Sequence, residues 1–159
     1  MNRAETTNLL SKKLEEKLNP YFENRRYIAK EVTFDYSTEH SIRVDYMRIV
    51  PKNNTVSGIE KSDVYCYEIK SCVEDFKSKN GHNFIGDFNY YVMPCDVYKK
   101  IIDYLPRFIG VYTLNKEGFL QLEKSAKRRD RARPVSEILL MMFRSVNREL
   151  MKFLKKERE

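Results

Sequence analysis

The stretch "DVYCYEIKSC", residues 63–72, decides how the chain folds. Most of its residues suit a buried β-strand, yet Glu68 and Lys70 stand within it on either side of Ile69. Positions two apart on a strand point to the same face. A carboxylate and an ammonium therefore project side by side from one sheet face. Either they form a structural ion pair, or something on that face requires both.

Working outward, two alternating segments precede this one. In "YIAKEVTFDY" (27–36), Ile28, Lys30, Val32 and Phe34 form one set and Ala29, Glu31 and Thr33 the other. In "SIRVDYMRIV" (41–50), Ile42, Val44 and Tyr46 share one face and Arg43, Asp45 and Met47 the opposite one. With "PKNNTVSG" as a turn cluster, residues 27–71 read as an antiparallel meander. Ahead of it, "AETTNLLSKKLEEKLNPYF" carries Leu10, Leu14 and Leu18 at helical spacing and stops at Pro20.

Downstream, "VEDFKSKNGHN" predicts a short helix or loop. "DFNYYVMP" is a fourth strand, with one of Tyr90 and Tyr91 facing inward. "CDVYKKIIDYL" is a helix with Asp96 as a candidate N-cap. "RFIGVYTL" completes a βαβ unit, so the fourth and fifth strands are expected to be parallel. "KEGFLQLE" reads as a small edge hairpin. Pro134 and a candidate N-cap, Ser136, open a long amphipathic helix whose stripe of Ile138, Leu139, Met142, Val146 and Leu150 is expected to pack on its own domain. The expectation is one α/β domain with a mixed central sheet flanked by helices. Residues 1–123 form its core, 124–134 a basic linker and 135–159 the terminal helix.

Bulk properties fit that reading. The chain has 159 residues, 42% hydrophobic and 33% charged, ordinary values for a globular protein. No apolar run approaches the ~20 residues of a membrane span, and the N-terminus lacks a signal peptide's apolar stretch, so no membrane association and a cytoplasmic location are expected. Three cysteines without CxxC spacing and only two histidines argue against a disulfide framework, zinc or an iron–sulfur cluster. The net charge is +7, and "KSAKRRDRAR" (124–133) holds six basic residues and one acid. Such a run is either a solvated linker or a source of phosphate contacts, because cations that neutralise phosphates release counterions. Arg128, Arg129, Arg131 and Arg133 are the candidates for contacting DNA, joined by Lys79 from the preceding loop.

Asp45 lies on the strand before Glu68-x-Lys70. Cross-strand neighbours sit about 5 Å apart, where two carboxylates repel unless protonated or bridged by a cation. Hard oxygen ligands suit Mg²⁺ or Mn²⁺, and an adjacent lysine can stabilise charge developing on a phosphate. A lone E-x-K on a strand is usually a weak surface pair. Here the apolar flanks Tyr67 and Ile69, and the acid on the preceding strand, raise the signal.

The order helix, strand, strand with Asp, strand with E-x-K resembles the PD-(D/E)xK nuclease superfamily. "RVDYMRIV", "YEIKSCVEDFKS" and "GDFNYYVMP" resemble the MmcB-type DNA-repair family, across roughly residues 4 to 150. The resemblance implies a restriction-endonuclease-like fold that hydrolyses DNA phosphodiester bonds with Mg²⁺ or Mn²⁺, in DNA repair or in phage or mobile-element DNA processing. It implies Asp45, Glu68 and the backbone carbonyl of Ile69 as metal ligands and Lys70 as the catalytic lysine. A first-helix glutamate often completes such sites, and Glu15 ranks ahead of Glu5 and Glu16. Two departures stand out: Val44 where the signature has proline, and Lys77 and Lys79 after Asp75-Phe76. Asp87 reads as a turn cap. The alternative function is a non-catalytic DNA-binding or protein-interaction module. Whether two chains form a homodimer to cut both strands is open in the sequence.

Overall fold

A computed structural model describes residues 1–19 and 27–158, so the helix stop expected at Pro20 lies outside the described residues. Helix α1 (Arg3–Leu18) buries Leu10, Leu14 and Leu18. Its N-terminus is closed by a capping box in which Asn2 and Glu5 satisfy each other's backbone N–H groups. Six strands follow in one sheet, in chain order: β1 (Tyr27–Phe34), β2 (Ile42–Val50), β3 (Asp63–Ile69), β4 (Phe88–Pro94), β5 (Gly110–Leu114) and β6 (Leu120–Lys124). The β1–β2–β3 pairs are antiparallel, β3–β4 and β4–β5 are parallel, and β5–β6 is antiparallel. The expected meander and parallel βαβ unit are both present, within a single α/β domain.

The sheet is covered on both sides. On one face α1 meets Tyr46, Tyr67, Ile69, Tyr90 and Val92. On the other, the terminal helix α5 (Val135–Lys156) packs Val135, Ile138 and Met142 against β1–β3, while Phe76 and helix α4 (Cys95–Ile101) cover β4 and β5. Tyr90 and Tyr91 are both buried, on opposite faces, because both sides of these strands are covered.

Several local readings are corrected. The turn cluster contains a short helix, α2 (Val56–Glu60), capped by the Thr55 side chain. The polar stretch opens with the short helix expected there, α3 (Val73–Lys77), and continues as a loop. Pro94 and Pro134 occupy the N-cap positions of α4 and α5, so Asp96 and Ser136 lie inside the first turns. "KEGFLQLE" supplies one strand, β6, which forms its hairpin with β5 through a turn where Gly118 has φ +82°.

The largest correction concerns β1 and β2. Ala29 and Val32 enter the same cluster although three apart, and so do Val44 and Met47, whereas Tyr46 enters the opposite one. Ile28 and Lys30 therefore do not share a face with Val32 and Phe34, nor Tyr46 with Ile42 and Val44. The cause lies at Glu31, whose φ of 51° is left-handed backbone. The ladder pairs Lys30 with Tyr46 and Val32 with Val44 but skips the step between them, where Glu31 stands across from Asp45. Both strands change face at that step.

Candidate active site

That kink sets the position of Asp45. The β2–β3 ladder ends at Tyr46↔Tyr67, and one step further the strands part. Asp45 fills the gap by accepting the Ile69 backbone N–H at 2.8 Å. On β3, which has no kink, alternation holds. Val64 and Cys66 point to the α5 side and Tyr67 and Ile69 to the α1 side, so Glu68 and Lys70 continue the face of Val64 and Cys66.

Glu68 is 0% exposed. Its Oε1 accepts the Asn83 N–H at 3.3 Å, and its carboxyl meets that of Asp45 within hydrogen-bonding reach. Burial, reinforced by repulsion from Asp45, pushes its carboxyl up to about 9. Asp45 is also raised, chiefly by burial, against the lowering effects of the Ile69 N–H and of Arg43 and Lys70. At neutral pH this is a pair of acids in which Glu68 keeps its proton.

Lys70 is 1% exposed, and its Nζ donates to the carbonyls of Asn80 at 2.7 Å and Asp75 at 3.2 Å rather than to Glu68. Burial lowers its pKa, opposed by the fields of Asp75, Glu68 and Asp45. The loop is held in turn. Asp75 accepts from Ser71 N at 3.1 Å and from Arg3 Nη2 at 2.8 Å. Gly81, at φ +69°, brings bare backbone against the pair: a Cβ there would stand 2.8 Å from Lys70 Nζ and 3.3 Å from Glu68 Oε2.

Asp45, Ile69, Lys70, Asp75 and Gly81 line a cleft of about 700 Å³, with Glu68 buried beside them. Arg3 and Lys12 from α1, Lys30 and Arg43 from the kinked strands, and Lys152 from α5 give it a cationic rim, interleaved with Glu15, Glu31 and Glu149. Sequence reasoning missed these rim cations because they come from four separated segments. Of the three candidate glutamates on α1, Glu5 caps the helix and Glu16 pairs with Lys13. Glu15 lines the cleft, where its Oε1 accepts the Tyr46 hydroxyl at 2.6 Å.

The arginines of the linker sit elsewhere. Arg128 meets Asp63 and Asp87, and its guanidinium lies over Phe88. Arg131 donates to the carbonyls of Ser62 and Glu60, both at 2.8 Å, and to Asp87. Arg133 forms a two-pronged pair with Asp35 and a further bond to Glu137. Arg129 lies over the Phe108 ring. Backbone bonds from Lys127, Arg129 and Ala132 add to the clasp, so this segment is packed rather than a loose tether. Lys79 is exposed on the loop that seats Lys70. Asp87 does not cap its own turn: it accepts the Val64 N–H at 2.8 Å, holding the start of β3, and pairs with Arg128 and Arg131.

Two adjacent carboxyls, once Glu68 gives up its proton, suit a cation that completes its shell with water and substrate oxygens, as Mg²⁺ commonly does. Among the described residues there is no cluster of three or more His, Cys, Asp or Glu side chains arranged to hold a metal. No helix among the described residues is long and apolar enough to cross a membrane.

No family model matches the chain, and no curated protein matches its sequence. A solved structure of a protein of unknown function from Silicibacter pomeroyi is similar in fold, with a TM-score of 0.60 over 99% of this chain and 94% of that one, at 14% sequence identity. Similarity at that identity concerns the fold alone.

Proposed function

We propose that the chain is a metal-dependent nuclease that hydrolyses DNA phosphodiester bonds in the cleft of Asp45, Glu68 and Lys70. The observation that carries this reading is the meeting of the Asp45 and Glu68 carboxyls, both raised chiefly by burial, beside Lys70 at the edge of an open, cation-rimmed cleft that Asp45 and Lys70 line. Holding two carboxyls together away from water is costly to their charged forms, and a bound cation would remove that cost. Asp45 and Glu68 would hold the ion, with the Ile69 carbonyl at the same strand end as the third oxygen. A bound Mg²⁺ or Mn²⁺ supplies charge neutralisation at the scissile phosphate. Lys70, fixed by Asn80 and Asp75, presents one ammonium where negative charge develops, with little reorganisation. Arg3, Lys12, Lys30, Arg43 and Lys152 are positioned to take flanking phosphates. Arg3, Lys30, Arg43 and Lys152 hold acidic partners, as Arg128, Arg131 and Arg133 do, but only the rim set lines the cleft, and for that reason the proposed backbone contacts are assigned to the rim.

The test is cleavage of supercoiled, branched and single-stranded DNA with Mg²⁺ or Mn²⁺, in the wild type and in Asp45→Asn and Lys70→Met variants whose folding is checked by circular dichroism. The wild type cuts and both variants lose at least a hundredfold. Equal activity in all three would overturn the assignment. One observation favours a second reading as a binding module: the Lys70 ammonium is satisfied by two carbonyls, an arrangement that also serves structure alone. Metal-independent DNA binding without cleavage under either ion is the outcome that would select it.

A further inference from the structure

Helix α5 is apolar on two sides. Val135, Ile138, Met142 and Ser145 face the sheet. A second row, Leu139, Phe143, Val146, Leu150 and Phe153, runs along the flank beside β1, where Val146, Leu150 and Phe153 border Ile28 and Ala29, at alternating spacings of four and three, the repeat of a helix–helix seam. These five residues are 36–69% exposed, and Leu140 and Leu154 beside them are 54% and 39% exposed. Met151 is also half-exposed. With about 200 Å² for a fully exposed large apolar side chain, the patch amounts to on the order of 800 Å². That exceeds the 300–600 Å² typical of the largest patch on a monomer and matches what one partner buries in an interface of standard size.

We propose that this row is an isologous interface, in which α5 packs antiparallel against α5 of a second copy of the chain, crossing at Val146. The row is close to symmetric about that residue. Leu139 and Phe143 lie on one side of it, Leu150 and Phe153 on the other, and the smallest of the five stands in the middle. Helices that cross approach most closely at one point and diverge outward. A small residue at the crossing and large ones beyond it fit that shape, and a two-fold axis through Val146 sets the Leu139–Phe143 arm of each copy against the partner's Leu150–Phe153 arm.

This inference stands independently of the nuclease reading. Sedimentation equilibrium of the full chain across roughly 1–200 μM, the micromolar range expected of an interface this size, is expected to show twice the 19.1 kDa chain mass. Val146→Glu, at an exposed position of the monomer, is expected to keep the circular dichroism spectrum and melting temperature while weakening self-association about a hundredfold. Val146→Cys is expected to cross-link to itself on mild oxidation, and Leu139→Cys not to, with the wild type as control for the native cysteines. A monomer throughout the range, a dimer indifferent to Val146→Glu, or self-cross-linking of Leu139→Cys in place of Val146→Cys would each overturn the proposal. A monomer that captures some other protein would count as the first of these.

Discussion

Replacing Glu68 by Gln keeps the shape of the side chain and removes its titration. In the folded chain the Glu68 carboxyl is pushed up to about 9, against an ordinary 4.5. The sign follows from proton counting. Below pH 4.5 both folded and unfolded chains hold this proton, and the group contributes nothing to pH dependence. Between 4.5 and 9 the unfolded chain releases it and the folded chain keeps it, so wild-type stability falls as pH rises through that window. Each unit is about 1.4 kcal/mol, which makes the penalty roughly 3 kcal/mol at pH 7. Glutamine carries no such penalty. The stability difference, variant minus wild type, should therefore climb by about 3 kcal/mol between pH 4 and pH 7 and continue upward to pH 8. Glu68 is uncharged across most of this window, so Asp45 sees nearly the same field in both proteins and cancels from the difference. Urea titrations at half-unit pH steps measure it directly. A difference that stays flat, or a wild type that gains on the variant as pH rises, would refute the buried-acid reasoning.

Gly81→Ala should cost about 1–2 kcal/mol from left-handed backbone alone, plus a displacement of Lys70, whose Nζ lies 2.8 Å from the new Cβ. Gly118→Ala, also at positive φ but with nothing within 4 Å, should show the backbone cost only. Thermal melts of the two variants compare the terms, and equal losses would mean that the Gly81 contact is slack. Arg131→Ala removes bonds to the Ser62 and Glu60 carbonyls and to Asp87, and should destabilise by about 1–3 kcal/mol. The same substitution should leave the salt dependence of DNA binding unchanged, whereas Lys12→Ala should reduce its slope by about one. A reversed pattern in salt titrations would return the phosphate contacts to the linker.

Helix α1, the β1–β2–β3 meander and the parallel β4–β5 pair were legible because their cues are local. Leu10, Leu14 and Leu18 repeat every four residues, and β3 alternates without interruption from Val64 to Lys70. The faces of β1 and β2 were not legible, because the switch depends on a glutamate in left-handed backbone, and no glycine or asparagine marks position 31. One trace existed: Tyr46 and Met47 are adjacent and both apolar, which a strand with a single buried face does not require. The linker arginines misled for a different reason. Their acidic partners Asp35, Asp63 and Asp87 lie 98, 65 and 41 residues away, and a run of charge carries no information about such distances. At the site, the residue types of Asp45, Glu68 and Lys70 could be read from spacing. The carbonyls that seat Lys70 and the rim cations come from segments that meet only in three dimensions.

The most direct measurement is titration of the full chain with Mn²⁺ at pH 7.5, following the bound ion by electron paramagnetic resonance and proton release by a pH indicator. The account predicts about one Mn²⁺ bound, with close to one proton released as Glu68 gives up its hydrogen to the ion, and neither signal in Glu68→Gln or Asp45→Asn. Mn²⁺ that binds without proton release, or equally well to all three proteins, would contradict it.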